Sequence, residues 1–293
     1  MLYLNKILFF ILVFSQATHS QFDAKLDFHA THQLETSLDD GGDFNLTRYG
    51  VELRLGRQVT DNDSIKFKFQ YQRDVWDFDG FTVLPELVDH NVTIDTVDFA
   101  FSWFHAYDQD TTYFVSALSR SSTDGDFFDG FVGGGSAGYI HRYSPNLTFG
   151  LGAGFIGQPH DDPRVFPVIV LDWSMSDTLR LTSDISSRFG SQMGLELVWE
   201  PSNDWTLGAG IAADYGRFRL DLQAEATEGA AEVSSMPISF RATRHFSPGF
   251  DFTLYGGIVM DGQIELIDGT RNELASDNYD PAGVFGILGK IQF

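Results

Sequence analysis

The chain has 293 residues, with 41 acidic against 19 Lys and Arg side chains, a formal net charge of −22 and no cysteine. That balance excludes a nucleic-acid surface, which needs a basic footprint. The missing cysteine excludes disulfides, thiolate chemistry and cysteine-based zinc sites. No linker-like stretch or shift of composition divides the chain, and one domain is expected.

In chain order, the first predicted element is a secretory signal peptide over 1–20. Lys6 supplies the positive start, ILFFILVF (Ile7 to Phe14) the short apolar core, and SQATHS the small residues before cleavage after Ser20, with Ala17 as the alternative. The domain is then 21–293, an exported chain of about 273 residues. No later apolar stretch reaches the ~18 residues of a membrane helix, although 28 Phe are present. For an exported, aromatic-rich chain without such a helix, a closed β-barrel is the other structure that satisfies its backbone in lipid.

Period-2 alternation then recurs along the chain. In SIKFKFQYQ, Ile65, Phe67, Phe69 and Tyr71 oppose Lys66, Lys68, Gln70 and Gln72, and in VELRLG, Val51, Leu53 and Leu55 oppose Glu52, Arg54 and Gly56. WTLGAGIAAD, TLRLTSDIS and MGLELVWE repeat the pattern. The alternation places strands near 22–33, 44–57, 64–75, 92–105, 111–120, 130–143, 147–157, 164–173, 178–188, 191–200, 204–214, 235–246, 250–260 and 282–293. That is about fourteen strands, with 12 to 16 open because FRLDLQAE reads as an extra strand pair or a raised hairpin. The fold class expected is all-β, a transmembrane antiparallel up-and-down barrel.

Alternation alone fits a soluble sandwich equally well; the connections discriminate. Short turns at VTDNDS, AYDQDT, YSPNLT, SMSDT, EPSND and FSPGF alternate with longer stretches such as LETSLDDGGD, SSTDGDFFDG and IELIDGTRNELASDNYD. Tight turns at one end and long loops at the other are the outer-membrane barrel plan. Trp103, Tyr143, Trp173, Trp199, Trp205 and Phe246 stand at strand ends beside the short turns, where a girdle of amphipathic rings marks a membrane boundary.

The last strand, VFGILGKIQF, resembles the C-terminal strand of Gram-negative outer-membrane proteins. Phe293, Ile291, Ile287 and Phe285 match its apolar file, and Gly289 is a gap in it. The resemblance implies that these four residues are the signal read by the outer-membrane assembly machinery. Across the mature chain the layout, with motifs such as YSPNLTFGLG, is similar to porin-like barrels of uncharacterised function. An outer-membrane location follows as an expectation.

With the apolar face toward lipid, Lys25, Arg48, Arg54, Lys66, Lys68, Arg180, Arg241 and Lys290 are assigned to the lumen with Asp23, Asp27, Glu52, Asp98, Asp184 and Glu196, since a cation at the lipid midplane costs about 2–4 kcal/mol. Arg48, Arg54, Lys66 and Lys68 form a basic stripe toward anions, or else pair with those acids. FVGGGSAGY and LTFGLGAGF leave room on the inner wall for a bend, a plug or a solute path. Acids crowd the long connections, yet none matches the twelve-residue calcium loop, so no metal or cofactor is assigned. Asp77, Asp79, Asp89 and His90, or His160 with Asp161 and Asp162, raise a rim hydrolase, but no recognisable catalytic motif supports one. The expected function is passive diffusion of small polar solutes or ions by a monomer whose partners are outer-membrane lipid, lipopolysaccharide and the assembly machinery. The alternative is a non-conducting barrel whose acidic outer loops bind a ligand, metal ion or surface partner.

Overall fold

A computed structural model describes residues 22–80, 91–159, 161–183, 193–220, 229–247 and 249–293. The signal-peptide segment lies outside these, as do Asp89, His90, His160, Asp184, Pro248 and the DLQAE stretch. The described residues form strands in chain order: β1 (Phe22–Ser37), β2 (Asp43–Gln58), β3 (Asp63–Asp79), β4 (Asn91–Ala106), β5 (Thr111–Thr123), β6 (Phe131–Ser144), β7 (Leu147–Gln158) and β8 (Asp161–Ser174). After them come β9 (Leu179–Thr182), β10 (Met193–Ser202), β11 (Trp205–Leu220), β12 (Gly229–Ser247), β13 (Phe250–Asp268), β14 (Glu273–Tyr279) and β15 (Ala282–Gln292).

Neighbours in sequence pair antiparallel from β1 to β13, and β15 closes the ring by pairing with both β13 and β1. The barrel is all-β and has fourteen staves with one extra strand. β13 pairs with β15 over Phe250–Val259 and with β14 over Gly262–Ile267, so β14 continues the last stave past a break at Asp280 and Pro281. Closure pairs the first strand with the last and so removes the two edges of the open sheet.

Side chains alternate between two solvents, as the period of 2 requires. Phe67, Phe99, Phe101, Leu151, Phe155, Ile169, Leu197, Phe240, Leu254 and Ile287 stand exposed on the outside, a surface no soluble barrel presents. Lys68, Gln70, Gln72 and Asp74, their alternates in β3, line the interior. Toward the long-loop end the outer apolar file stops at Tyr71, whose hydroxyl donates to Asp95 at 2.8 Å beside a bidentate Arg73–Asp95 pair at 2.8 and 2.7 Å.

One connection expected as a long loop is instead strand, and the stretch open to a strand pair or a raised hairpin is strand where it is described. β11 runs on to Leu220 and β12 begins at Gly229, while IELIDGTRNELASDNYD is the top of β13, a turn and β14. Charged residues among them hid apolar ones that face inward: Ile264, Leu266 and Tyr279 are buried with Leu38, Phe44, Leu46, Trp76, Phe78, Ile94, Leu220 and Ala231. Beyond Ala213, paired with Met193, β11 makes no further pair with β10 among the described residues. It crosses instead to β5, where Arg219 pairs in parallel with Thr123. β14 meets the top of β1 through Leu38 and Tyr279. The long-loop end is therefore a smaller ring of β1–β5 and β11–β14 around an apolar core, and β6–β10 stay outside it.

Candidate functional site: the lumen

Below the apolar core lies a cavity of about 400 Å³ reached by side chains of β1–β8 and β11–β15. Its walls carry charges in matched sets. Arg48 on β2 donates Nε and Nη2 to Asp74 on β3, both at 2.9 Å, and its Nη1 lies 3.7 Å from Asp214 on β11, across the lumen. Arg120 on β5 holds Asp98 on β4 at 2.6 and 3.0 Å. Toward the short-turn end Arg54 reaches Asp27 at 2.5 Å and also contacts Glu52, which Lys68 approaches at 3.3 Å.

Arg241 and Glu196 sit two strands apart, on β12 and β10, with β11 between them. They make a bidentate pair at 2.8 and 2.9 Å, and what lies beneath is Gly208: a Cβ there would stand 2.6 Å from the Glu196 oxygen and 2.8 Å from Arg241 Nε. Glycine at that point lets the bridge pass over the intervening strand. Arg180 pairs with Asp172 at 2.6 and 3.0 Å near the short turns. Lys66 lies 4.8 Å over the Phe104 ring. Lys25 meets Asp23 at 3.6 Å.

The stripe Arg48, Arg54, Lys66, Lys68 is thus broken up: three of its four members are neutralised by carboxylates, which desolvated guanidinium and ammonium groups require. The roomy wall of β6 and β7 is covered by rings. Phe114 lies against Gly138 and Gly152, and Phe166 against Gly154. Sequence reading counts Asp74 among the acids of the long connections, whereas it lies on β3 facing the lumen, and it does not single out Arg120, Arg217 or Trp76. Asp74 shares the inward parity of Lys66 and Lys68 and was accessible to that argument. Arg217 has the parity of the outward file, and only the departure of β11 from the wall buries it.

At the short-turn end, Trp103, Tyr143, Trp173, Trp199, Trp205 and Phe246 are all exposed on the outside. Phe285, Ile287 and Phe293 project outward, with Ile291 half-buried in the same file. The gap at Gly289 is filled from the neighbouring strand: the Phe28 ring of β1 lies over it, its Cζ 2.0 Å from where a Cβ would stand. Among the acids raised as rim groups, Asp77 accepts from Asn45 at 3.3 Å, Asp161 holds Arg217 at 2.9 Å and Asp162 holds Arg271 at 3.0 Å. Among the described residues no group of three or more metal-ligating side chains assembles.

Comparison with solved structures finds an outer membrane channel from Pseudomonas putida F1, at 10% identity and a TM-score of 0.50, over 92% of this chain and 96% of that one. The chain has the outer-membrane β-barrel fold. The barrel also matches the P. putida toluene transporter TodX at 8% identity and a TM-score of 0.44, over 93% and 90% of the two chains. A Pseudomonas aeruginosa FadL homologue matches at 11% identity and a TM-score of 0.37, over 92% and 90%. No protein-family model matches the sequence, and no curated protein matches it.

Proposed function

We propose that the barrel is a channel of a bacterial outer membrane, reached after export and removal of residues 1–20, and that it passes small polar solutes or ions by diffusion. The observation that carries this reading is the charged cavity of about 400 Å³ inside a closed barrel. Buried carboxylates and guanidinium groups are costly in a structure that only needs to fill space, and they line a path suited to hydrated solutes. The apolar exterior, the aromatic belt and the outward file ending in Phe293 support lipid, lipopolysaccharide and the assembly machinery as partners of a monomer. On this reading the barrel is not an enzyme.

Single-channel recording of the refolded barrel in a planar bilayer tests it. Discrete openings are expected, and Arg54→Glu should shift ion selectivity toward cations, because Arg54 is the partly exposed cation beside Asp27 and Glu52. A second reading draws on the apolar packing of the upper ring: a barrel that never conducts and works through its acidic outer segments. A folded barrel silent at every voltage and salt concentration favours that reading.

A further inference from the structure

At one level four adjacent strands lose their regular pairing. β11 has no partner on β12 for Ala212 and Ala213, β12 shifts register between Ser234 and Met236, β13 holds Asp261 at a φ of 49°, and the last stave breaks at Asp280–Pro281. Asp214 pairs with Ser235, Met236 with Met260, and Gly262 with Tyr279, so these breaks form one line across the sheet. Bulges and a left-handed residue in register bend a sheet. Above the line the sheet turns inward, which carries β11 across to β5.

The two faces of the inward part differ in chemistry. Phe218, Leu220, Ala231 and Val233 pack on Trp76 and Phe78. The opposite face presents Tyr215 and Arg217 to β5–β8. Tyr215 donates to Glu232 at 2.6 Å, accepts from Gln158 at 2.7 Å and lies 3.4 Å under the Arg164 guanidinium. Arg217 donates to Asp161 at 2.9 Å and to the Pro159 carbonyl at 3.2 Å, while its Nη2 is buried with no acceptor among the described residues.

A second, smaller cavity lies on this polar side between β5–β7 and β11, and it shares Arg120, Ser122, Ile156, Tyr215 and Arg217 with the central one. The seam that closes there includes one parallel pair, Arg219 with Thr123, the Asp124 N–H donated to the Arg219 carbonyl at 3.4 Å and a 3.8 Å approach of Arg219 to Asp129.

We propose that the upper halves of β11 and β12 are a leaf hinged at the Asp214–Ser235 level, and that Tyr215 and Arg217 on it are the gate of the solute path. The inference rests on the channel reading and adds its control. Polar solutes do not cross the apolar face, because dry packing offers no partner for their hydrogen bonds. On the other face the hydrogen bonds and charge contacts of Tyr215 and Arg217 are ones that water replaces at little loss, and opening hydrates the orphaned Nη2. β12 stays paired with β13, and β14 with the top of β1, so the seam at β5, where one parallel pair replaces a continuous ladder, is the one that parts.

The cysteine-free chain makes the test clean. Thr123→Cys with Arg219→Cys, at positions already paired, locks the leaf when oxidised. The locked barrel should open at least tenfold less often than the same molecule after dithiothreitol, whereas either single variant should ignore the reductant. In a second variant, residues 215–234 are replaced by Asn-Gly, joining Asp214 to Ser235; folding is checked by heat-modifiable gel mobility, and the channel should stay open. Equal opening of the oxidised and reduced double variant, or a trimmed barrel that opens no more than the full chain, overturns the gate while leaving the channel intact. A folded trimmed barrel that never conducts overturns the gate and the channel reading together.

Discussion

Two glycines show how single atoms decide this wall. Gly289 leaves a notch on the lipid side that Phe28 fills, so the apolar file of the last strand is continuous in space although interrupted in sequence. A methyl group there meets the ring at the seam where the barrel closes. Overpacking of this kind costs about 1–3 kcal/mol, and Gly289→Ala should lower the urea midpoint of the refolded barrel, with partial recovery when Phe28→Ala is added. No recovery would mean that the ring is not what the methyl meets. Gly208 acts on the lumen side by letting Arg241 and Glu196 touch across β11. Removing one partner of a buried pair costs about 3–5 kcal/mol, while replacing both by apolar groups of similar volume is often nearly neutral. Glu196→Ala should therefore destabilise the barrel far more than the joint change Glu196→Leu with Arg241→Met. Equal losses in urea titrations would show that the bridge itself carries the stability. The pattern of the sequence already assigns Glu196 and Arg241 inward, but it cannot reveal that a residue on the strand between them makes their contact possible.

At the scale of the element, strand positions were legible because one face had to meet an apolar solvent and the other a polar one. The tops of β11, β13 and β14 were not. There the apolar residues face a packed core inside the ring and charged residues stand among them, Arg217 and Arg219 in β11 and Glu265, Asp268 and Glu273 around the β13–β14 turn, so strands look like loops. The turn between β13 and β14 is built by Asp268, whose carboxylate accepts from the backbone N–H groups of Thr270 and Asn272 at 2.7 and 2.8 Å, with Arg271 at a φ of 73°. The donated hydrogen bonds from Asn272 and Thr270 favour the charged form and hold its pKa down to about 2. A lowered carboxylate pKa stabilises the fold above the ordinary value near 4 and loses that contribution as pH falls toward 2. Pepsin should accordingly cut within 265–275 faster at pH 2 than at pH 4. In Asp268→Ala that acceleration should shrink, with cleavage at pH 4 already fast; an unchanged pH profile in the variant would remove Asp268 from the account.

The whole molecule was legible as a barrel, with its solvent and its closing strand, because the alternation, the turn asymmetry and the aromatic belt are each repeated many times along the chain. Its interior plan was not. Whether Arg48 feeds an anion path or meets Asp74 and Asp214 depends on which staves face each other across the lumen, and that distance is not written in local spacing. The same holds for the parallel contact of Arg219 with Thr123, made by strands on opposite sides of the ring. Pairing of β1 with β15 joins the two most distant strands of the chain, Lys25 with Gln292 and Gln33 with Val284. Until β15 arrives, every earlier stave belongs to an open curved sheet with two unsatisfied edges, the form most prone to pair with the wrong chain. Such non-local closure is slow. The time between release of the chain and docking of its last strand is then the interval in which it most needs escort.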